Sequence, residues 1–256
     1  MPNPHKRFSD RAQDYSLYRP GYPPALVEAL EDWGLLPRPG VVADIGAGTG
    51  RLSEAFLDRG HRVCAVEPNR EMGESAAALL GGHAGFSITA GSAEATGLPE
   101  QCCDVAAAGQ AFHWFDPERA RSEFLRILRP GGAAAVIWNE RGLGDAFGAA
   151  YQAVVDAHKR EKSPTSHASV STEALEAFFA PEKPRWLRVD HRVPMDMDGV
   201  RGRLLSSSYM PNKGPRLRAM LAALEAAFHR HARDGRVEFH YTAVLCCAPL
   251  RARGGG

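Results

Sequence analysis

Residues 41–50 read Val-Val-Ala-Asp-Ile-Gly-Ala-Gly-Thr-Gly, a short apolar run that ends in an acid and continues into alternating glycines. The first five residues predict a buried strand. Gly46, Gly48 and Gly50 lack a Cβ, so the chain can turn sharply there and lie close to a ligand. A helix that begins near Arg51 would point its free N–H groups at the same ligand. The stretch therefore predicts a nucleotide-like cofactor at a strand-to-helix turn, against the alternative of a tight turn that binds nothing.

The spacing of the glycines and the position of the acid distinguish between cofactors. A dinucleotide fingerprint has the spacing Gly-x-Gly-x-x-Gly, whereas here Gly50 comes one residue early and Arg51 replaces the last glycine. Asp44, two residues before Gly46, would repel a pyrophosphate but would pair with an ammonium group, directly or through water. The pattern therefore favours S-adenosylmethionine over NAD.

Strand and helix patterns alternate along residues 41–138, and two further strand patterns follow at 185–193 and 237–248. This alternation predicts an α/β fold with a doubly wound, Rossmann-like, seven-stranded, mostly parallel sheet and helices on both faces. Helical patterns within 145–180 and 198–233 are interpreted as inserts at the rim of the sheet, near its C-terminal strands and on the acceptor side.

The first part of the chain, residues 1–22, is polar and aromatic and has too little apolar periodicity to build a core of its own. We interpret it as a lid. In this interpretation Tyr15, Tyr18 and Arg19 fold over the carboxylate and the sulfonium of the cofactor and exclude water.

Length and composition indicate a globular protein. The chain has 256 residues, of which 44% are hydrophobic and 24% are charged, so disorder and fibre formation are not expected. We interpret residues 1–250 as a single domain and 251–256, RARGGG, as a disordered tail. The apolar runs are far shorter than the roughly 20 residues that cross a bilayer, and the first residues lack a secretory signal. We expect a cytoplasmic monomer or homodimer with no membrane partner.

The cysteines give no sign of a metal site or of a disulfide framework. Cys64 stands alone, and the other four form the adjacent pairs Cys102–Cys103 and Cys246–Cys247. Neither arrangement has the CxxC spacing of metal ligands. We therefore predict reduced thiols, most of them buried, and no bound metal.

Charge is unevenly distributed along the chain. Residues 181–256 hold 14 Lys and Arg against 7 Asp and Glu, whereas residues 1–180 hold 17 against 23. The basic C-terminal third is either a solvated surface or an attraction for an acidic small substrate. Nucleic acid is not an expected partner, because no basic patch is interleaved with aromatic residues. Within this third, the run Ser206–Met210 provides either polar substrate contacts or the end of a helix.

Three further candidate sites follow the second and third predicted strands, where ligands bind in such sheets. Glu67 ends the second strand, 21 residues after Gly46, where it either accepts hydrogen bonds from both ribose hydroxyls or stabilises a helix N-terminus. Met72 either covers the adenine or belongs to the core. Ser92 and Ala93 either contact the adenine edge or start a Ser-x-x-Glu cap.

An aromatic cluster, GQAFHWFD at residues 109–116, follows the fourth predicted strand. Aromatic faces favour a sulfonium cation. His113 has the only side chain here that titrates near neutrality, so it is either a general base or a histidine that packs beside Trp114. Asn139, at the end of the fifth strand, either orients the acceptor or is a simple turn residue.

Taken in order, five motifs resemble those of class I S-adenosylmethionine-dependent methyltransferases, and in particular the trans-aconitate methyltransferase-like small-molecule branch. The motifs are ADIGAGTG, VEPN, GSAEATGLP, GQAFHWFD and LRPGG. The resemblance covers residues 8 to about 140, and it implies S-adenosylmethionine as cofactor, with neither a metal set nor a catalytic triad. The predicted cofactor-binding residues are Tyr15, Arg19, Asp44, Gly46, Ala47, Gly48, Glu67, Met72, Ser92, Ala93, Gln110, Ala111 and Trp114, and the predicted catalytic residues are His113, Asn139 and Tyr18.

Three functions are compatible with these residues. The leading hypothesis is methyl transfer by direct displacement to a small-molecule acceptor, with a carboxylate-bearing metabolite suggested by the basic C-terminal third. The second is cyclisation of the cofactor itself, as in azetidine-2-carboxylate synthases, which would release methylthioadenosine. The third is a non-catalytic cofactor-binding scaffold or an RNA-modifying protein.

Overall fold

The structure, a computed structural model, describes residues 20–142, 144–159, 171–207 and 209–252. The described residues form eight α-helices and one seven-stranded sheet. The helices are α1 Pro24–Asp32, α2 Arg51–Leu57, α3 Arg70–Leu80, α4 Pro117–Ile127, α5 Ala146–His158, α6 Thr172–Phe179, α7 Met197–Leu205 and α8 Gly214–His231. The strands are β1 Val41–Ile45, β2 Arg62–Val66, β3 Phe86–Thr89, β4 Cys103–Gly109, β5 Leu128–Arg141, β6 Arg185–Met195 and β7 Val237–Pro249.

The strand order confirms the predicted Rossmann-like fold. It is β3-β2-β1-β4-β5-β7-β6, and the pairings from β3 through β5 are parallel. β7 runs antiparallel to β5, because Gly142 N–H bonds the carbonyl of His240 whereas Leu250 N–H bonds the carbonyl of Gly132. As the residue number rises along one strand it falls along the other. The sheet is therefore mixed and mostly parallel.

The order of the strands reverses next to β1, which lies between β2 and β4. Asp44 is in register with Ala65 on one side and with Ala107 on the other. In open α/β sheets, ligands bind beyond the carboxyl ends of the strands at such a reversal. The topology therefore places the candidate site at the end of β1.

The start of β5 differs from its prediction. The sequence Leu-Arg-Pro-Gly-Gly at 128–132 predicts a helix end and a turn before a strand that starts at Ala133. The structure instead has a bulge inside a strand that begins at Leu128. The pairing moves two positions along β4, from Cys103 to Val105, and five along β5, from Leu128 to Ala133. Gly131, with φ 82°, supplies the left-handed backbone that this bulge needs.

The chain divides into two compact units. The unit that we call the sheet unit comprises residues 21–139, 168–189 and 243–256, and the helical unit comprises residues 1–20, 140–167 and 190–242. In the sheet unit, alternate strand residues pack into different apolar clusters, with Ala43 and Ile45 in one and Val42 in the other. This alternation shows that both faces of the sheet are covered, as predicted.

Helix α6, within the predicted insert at 145–180, is part of the sheet unit. Leu175, Phe178 and Phe179 are buried in the same cluster as Phe112 and Phe124. The ring of Phe178 lies 4.9 Å from that of Phe112 and 5.9 Å from that of Phe124, both edge-on. The residue spacing of an amphipathic helix brings these three side chains onto one face, and that face covers the sheet.

The helical unit has an apolar core of its own. Helices α5, α7 and α8 contribute Tyr151, Val200 and Leu224, and β7 contributes Phe239. The ring of Tyr151 packs edge-on against that of Phe239 at 5.0 Å. The helical patterns predicted near 145–161 and within 198–233 therefore share one core. The interpretation of residues 1–250 as one domain stays a prediction.

The cysteines of the structure are free thiols, and three of them, Cys103, Cys246 and Cys247, are buried. Burial raises the pKa of the Cys247 thiol to about 12. Such thiols pack as small apolar side chains and are unreactive.

Of the eight helices in the described ranges, none combines the length and the apolar character that a membrane crossing requires.

Candidate functional site

The turn after β1 is built from three left-handed glycines. Gly46, Gly48 and Gly50 have φ angles of 70°, 58° and 87°. Other residues pay a steric penalty in this conformation, which glycine avoids. The N–H groups of Gly46 and Ala47 both bond the carbonyl of Val66, at 2.8 and 3.1 Å, so the turn is fastened to β2.

The three glycines have different surroundings. A Cβ on Gly46 would lie 2.7 Å from the Cβ of Ala111, and one on Gly50 would lie 2.6 Å from Leu80 Cδ1. On Gly48 its nearest neighbour would be Met72 Sδ at 3.9 Å, an ordinary contact. Packing therefore requires glycine at Gly46, whereas at Gly50 the flexible end of Leu80 could move aside and Gly48 is the open position of the turn.

Asp44 is fully buried at the end of β1. Its Oδ2 accepts a 2.6 Å hydrogen bond from the Ser53 hydroxyl, and its Oδ1 has no hydrogen-bond partner among the described residues. Burial is the main cause that raises the pKa of the Asp44 carboxyl to about 7; the hydrogen bond from Ser53 opposes the shift and the charge of Glu67 adds to it. The site thus contains a carboxyl that titrates near neutrality and has one oxygen to spare.

Glu67, at the end of β2, shapes the glycine turn. Its Oε2 accepts a 2.7 Å hydrogen bond from Gly48 N–H, and its Oε1 accepts a 2.8 Å bond from Asn69 N–H. Asn69 in turn caps α3, because its Oδ1 accepts a 3.0 Å bond from Met72 N–H. Glu67 therefore lies beside the N-terminus of α3, where its alternative role would place it. The predicted ribose role of Glu67 stays a prediction.

The predicted adenine-binding residues lie in the first turn of α3 and in the turn after β3. Met72 is buried beside Gly48. The Ser92 hydroxyl accepts a 3.3 Å bond from Glu94 N–H within a tight turn, so it does not cap a helix. The side chain of Ala93 belongs to the core, and only its backbone can contact a ligand.

The end of β4 carries a strained residue. Gln110 has φ 56°, a left-handed conformation that is uncommon for residues other than glycine and that clusters at functional sites. Its N–H bonds the carbonyl of Ile137 at 2.9 Å, and its Nε2 bonds the carbonyl of Asn139 at 3.1 Å. Asn139 Nδ2 donates to the carbonyl of Gly21 at 3.2 Å. These bonds hold the ends of β4 and β5 together and fasten the chain at Gly21.

The aromatic cluster begins with a short 3-10 helix, Phe112–Trp114. Phe112 is anchored in the core, whereas Trp114 is 48% exposed. The His113 ring lies 4.7 Å from the Trp114 ring. Burial lowers the pKa of His113, so its imidazole is neutral at physiological pH, which is the form that accepts a proton. Both candidate roles of His113, base and packing residue, fit this placement.

Sequence reasoning missed the side chains that support the two acids. Ser53 bonds Asp44, and Asn69 holds Glu67 through its N–H. The Asn-x-x-Met pattern at the start of α3 is a recognisable N-cap, whereas nothing in the sequence marks Ser53 beyond its place in the first turn of α2. Tyr15, Tyr18 and Arg19 lie outside the described residues. Within the described ranges, no three His, Cys, Asp or Glu side chains are grouped to hold a metal ion.

Comparison with known proteins assigns the family. Residues 43–136 match the sequence model of a family described as a methyltransferase domain. An uncharacterised methyltransferase from Mycobacterium sp. strain KMS is 32% identical in an alignment that covers 60% of this chain and 69% of that protein. The chain belongs to the methyltransferase family.

Two other proteins are similar to this methyltransferase. An uncharacterised methyltransferase from Mycobacterium tuberculosis is 40% identical over 134 residues, which are 52% of each protein, so the chain spans about half the length of this relative. A solved structure, a putative type II methyltransferase from Anaeromyxobacter dehalogenans, has a TM-score of 0.69 and 24% identity. The match covers 92% of this chain and 100% of that one and shows that the two share a fold.

Substitution of Gly46 by alanine tests the packing of the turn. We expect Gly46→Ala to lower the free energy of unfolding by about 2–4 kcal/mol, because it adds a left-handed alanine and overpacks Ala111. Gly48→Ala adds only the backbone penalty of about 1–2 kcal/mol. Urea unfolding of both variants measures the difference.

The control is the double variant Gly46→Ala/Ala111→Gly, which removes the colliding methyl group. We expect the two substitutions to be coupled by roughly 1 kcal/mol or more. Equal losses for Gly46→Ala and Gly48→Ala, together with no coupling, would contradict the close approach.

Proposed function

We propose that this methyltransferase transfers the methyl group of S-adenosylmethionine to a small-molecule acceptor by direct displacement. We further propose that the acceptor carries a carboxylate, as in the trans-aconitate methyltransferase-like branch that the sequence resembles. One observation supports the proposal above the others. A turn of left-handed glycines lies between two buried acids, Asp44 and Glu67, at the point where the strand order reverses.

The residues of the turn fit this cofactor. Two buried oxygens, Asp44 Oδ1 and Thr49 Oγ1, have no hydrogen-bond partner among the described residues. The ammonium of the methionine portion would satisfy Asp44, directly or through water. A pyrophosphate would instead place negative charge beside Asp44 and Glu67, so the pair of acids argues against a dinucleotide.

The other site residues would hold the cofactor around the turn. Glu67 accepts the ribose hydroxyls, Met72 covers one face of the adenine, and the backbones of Ser92 and Ala93 contact its edge. Gly46, Ala47 and Gly48 line the methionine portion, and Tyr15 and Arg19 close over it. Gln110, Ala111 and Trp114 border the place of transfer, where the exposed face of Trp114 suits a cation.

At the place of transfer the protein aligns the methyl group, orients the acceptor and takes up a proton. When bound, S-adenosylmethionine supplies a methyl group on a sulfonium, which is already a good leaving group, so alignment provides most of the rate. Asn139 and Tyr18 orient the acceptor. The neutral imidazole of His113 takes the proton that an oxygen or nitrogen acceptor releases.

Three further sequence predictions accompany this function. They are a cytoplasmic location, a monomeric or homodimeric state, and partners that are small molecules and not nucleic acid or membrane. The basic C-terminal third supports an acidic acceptor, and a steep salt dependence of tRNA binding would contradict the exclusion of nucleic acid.

The identity of the nucleoside product tests the reaction. The purified protein is incubated with S-adenosylmethionine alone and then with a panel of small carboxylic acids and amines. We expect S-adenosylhomocysteine to form only when an acceptor is present. Methylthioadenosine from the cofactor alone would indicate cyclisation, and no consumption with any acceptor would indicate a scaffold.

A double cycle tests the ribose role of Glu67. We expect Glu67→Gln to weaken S-adenosylhomocysteine binding by about 1.5–3 kcal/mol, the contribution of hydrogen bonds to a charged group. With the 2′-deoxyribose analogue as ligand the loss should shrink, because one of the two bonds is already missing. Calorimetry with both ligands on wild type and on Glu67→Gln gives the four affinities. The exposed variant Glu71→Gln is the control. Equal losses with both ligands would contradict a contact between Glu67 and the ribose.

The raised pKa of Asp44 predicts a pH dependence of binding. In the free protein Asp44 is protonated below its pKa of about 7, and only its ionised form pairs with the ligand's ammonium. Affinity for S-adenosylhomocysteine should therefore rise from about pH 6 to about pH 7.5, with release of a proton. Methylthioadenosine lacks the amino acid portion and should show a flat profile. Parallel profiles for the two ligands, or an unchanged profile in Asp44→Asn, would contradict this pairing.

A further inference from the structure

The interior of the helical unit contains an arginine with little to balance its charge. Arg203, on α7, is only 8% exposed. Its neighbours Val200 and Leu204 belong to the apolar core of the unit. Burial of a cation without a counter-charge is costly, so the position of this guanidinium needs an explanation.

The partners of Arg203 are neutral. Its Nε donates a 3.2 Å hydrogen bond to the hydroxyl of Tyr241. Within the described residues its two Nη atoms donate no hydrogen bond, and none of the ion pairs there includes it. Although burial acts to lower the pKa of Arg203, the neighbouring Tyr241 and Tyr151 hold it above its usual value. The guanidinium of Arg203 therefore keeps its positive charge, and its two Nη groups keep N–H donors for another partner.

The surrounding side chains are suited to a planar anion. Tyr241 packs flat against His191, with ring centroids 5.5 Å apart, and this stacking fixes its hydroxyl. That hydroxyl accepts a bond from Arg203, so its own hydrogen remains to be donated. A second guanidinium acts on the same buried tyrosine as Arg203. Cζ of Arg141 is 4.8 Å from the ring centroid of Tyr151, and both arginines act to lower the pKa of Tyr151, which burial raises.

We propose that Arg203, with Tyr241 beside it and Arg141 nearby, binds the carboxylate of a small organic acid within the helical unit. A guanidinium with two unused Nη groups matches the two oxygens of a carboxylate. The apolar and aromatic surroundings suit a small organic anion better than a phosphate, which usually recruits several cations or backbone N–H groups. This anion site does not depend on the function proposed above.

Binding of two probe acids to the full chain, without cofactor, tests the site. Succinate and tricarballylate are titrated by calorimetry, with their amides as neutral controls and inorganic phosphate as the competing anion. We expect at least one of the two acids to bind and the amides not to bind. Arg203→Met should weaken that binding by about tenfold or more, the loss of a charge-assisted bidentate pair, and Arg203→Lys by less.

Two controls separate a binding role from a structural one. Arg192, which is exposed and pairs with Glu238, lies in the same unit, and Arg192→Met should leave binding unchanged. Without ligand, Arg203→Met should unfold at the same urea concentration as wild type or at a higher one, because it removes a buried unpaired charge. A structural arginine would show the opposite shift. If Arg203→Met does not fold, Tyr241→Phe removes only the hydroxyl and should weaken binding of the probe acids.

Several results would overturn the proposal. Arg203→Met could bind the acids as well as wild type does, or Arg203→Met and Arg192→Met could lose the same affinity. Wild type could also bind phosphate but neither acid, or bind neither acid at millimolar concentration. S-adenosylhomocysteine binding by wild type is measured in parallel. If the acids bind but S-adenosylhomocysteine does not, the proposed function is refuted and the anion site stands. If S-adenosylhomocysteine binds but the acids do not, the anion site is refuted and the proposed function stands.

Discussion

The burial of Asp44 at the end of the central strand is the constraint on which the rest of the site depends. The carboxyl lies between two parallel neighbours, β2 and β4, and has no access to solvent. Helix α2 begins immediately after the glycine turn, and this start brings the Ser53 hydroxyl to one of its oxygens. The other oxygen has no partner among the described residues. A group that costs free energy in this position is retained most simply because a ligand uses it.

Much of the fold was predictable because its elements are locally consistent. The bounds of β1 match its prediction at residues 41–45, since an apolar strand followed by glycines carries its own boundary signals. Helix α6 shows the limit of this reasoning. Its apolar face is visible in the sequence at Leu175 and Phe178, but periodicity gives the direction of a face and not the surface that it covers. The bulge in β5 likewise depends on pairing with β4, which a turn signal alone does not contain.

The same division holds for the candidate site. The acids Asp44 and Glu67 and the glycines were predicted because their spacing is short and tied to strand ends. The left-handed Gln110 and the Gly46–Ala111 approach were not, since both arise where separate segments of the chain meet. Gln110 bonds Ile137 and Asn139 of β5, and Gly46 and Ala111 are 65 residues apart in the sequence. The buried Arg203 was hidden for a different reason. The number of charges along the sequence shows that the C-terminal third is basic, but it does not distinguish exposed arginines from the buried Arg203.

The contact between the glycine turn and the start of the aromatic cluster also limits how this chain can diverge. A Cβ at residue 46 would lie 2.7 Å from that of Ala111, so residue 46 can gain a side chain only if residue 111 loses its own or the backbone shifts. In the course of evolution, replacement of Gly46 therefore has to be preceded by a change at residue 111.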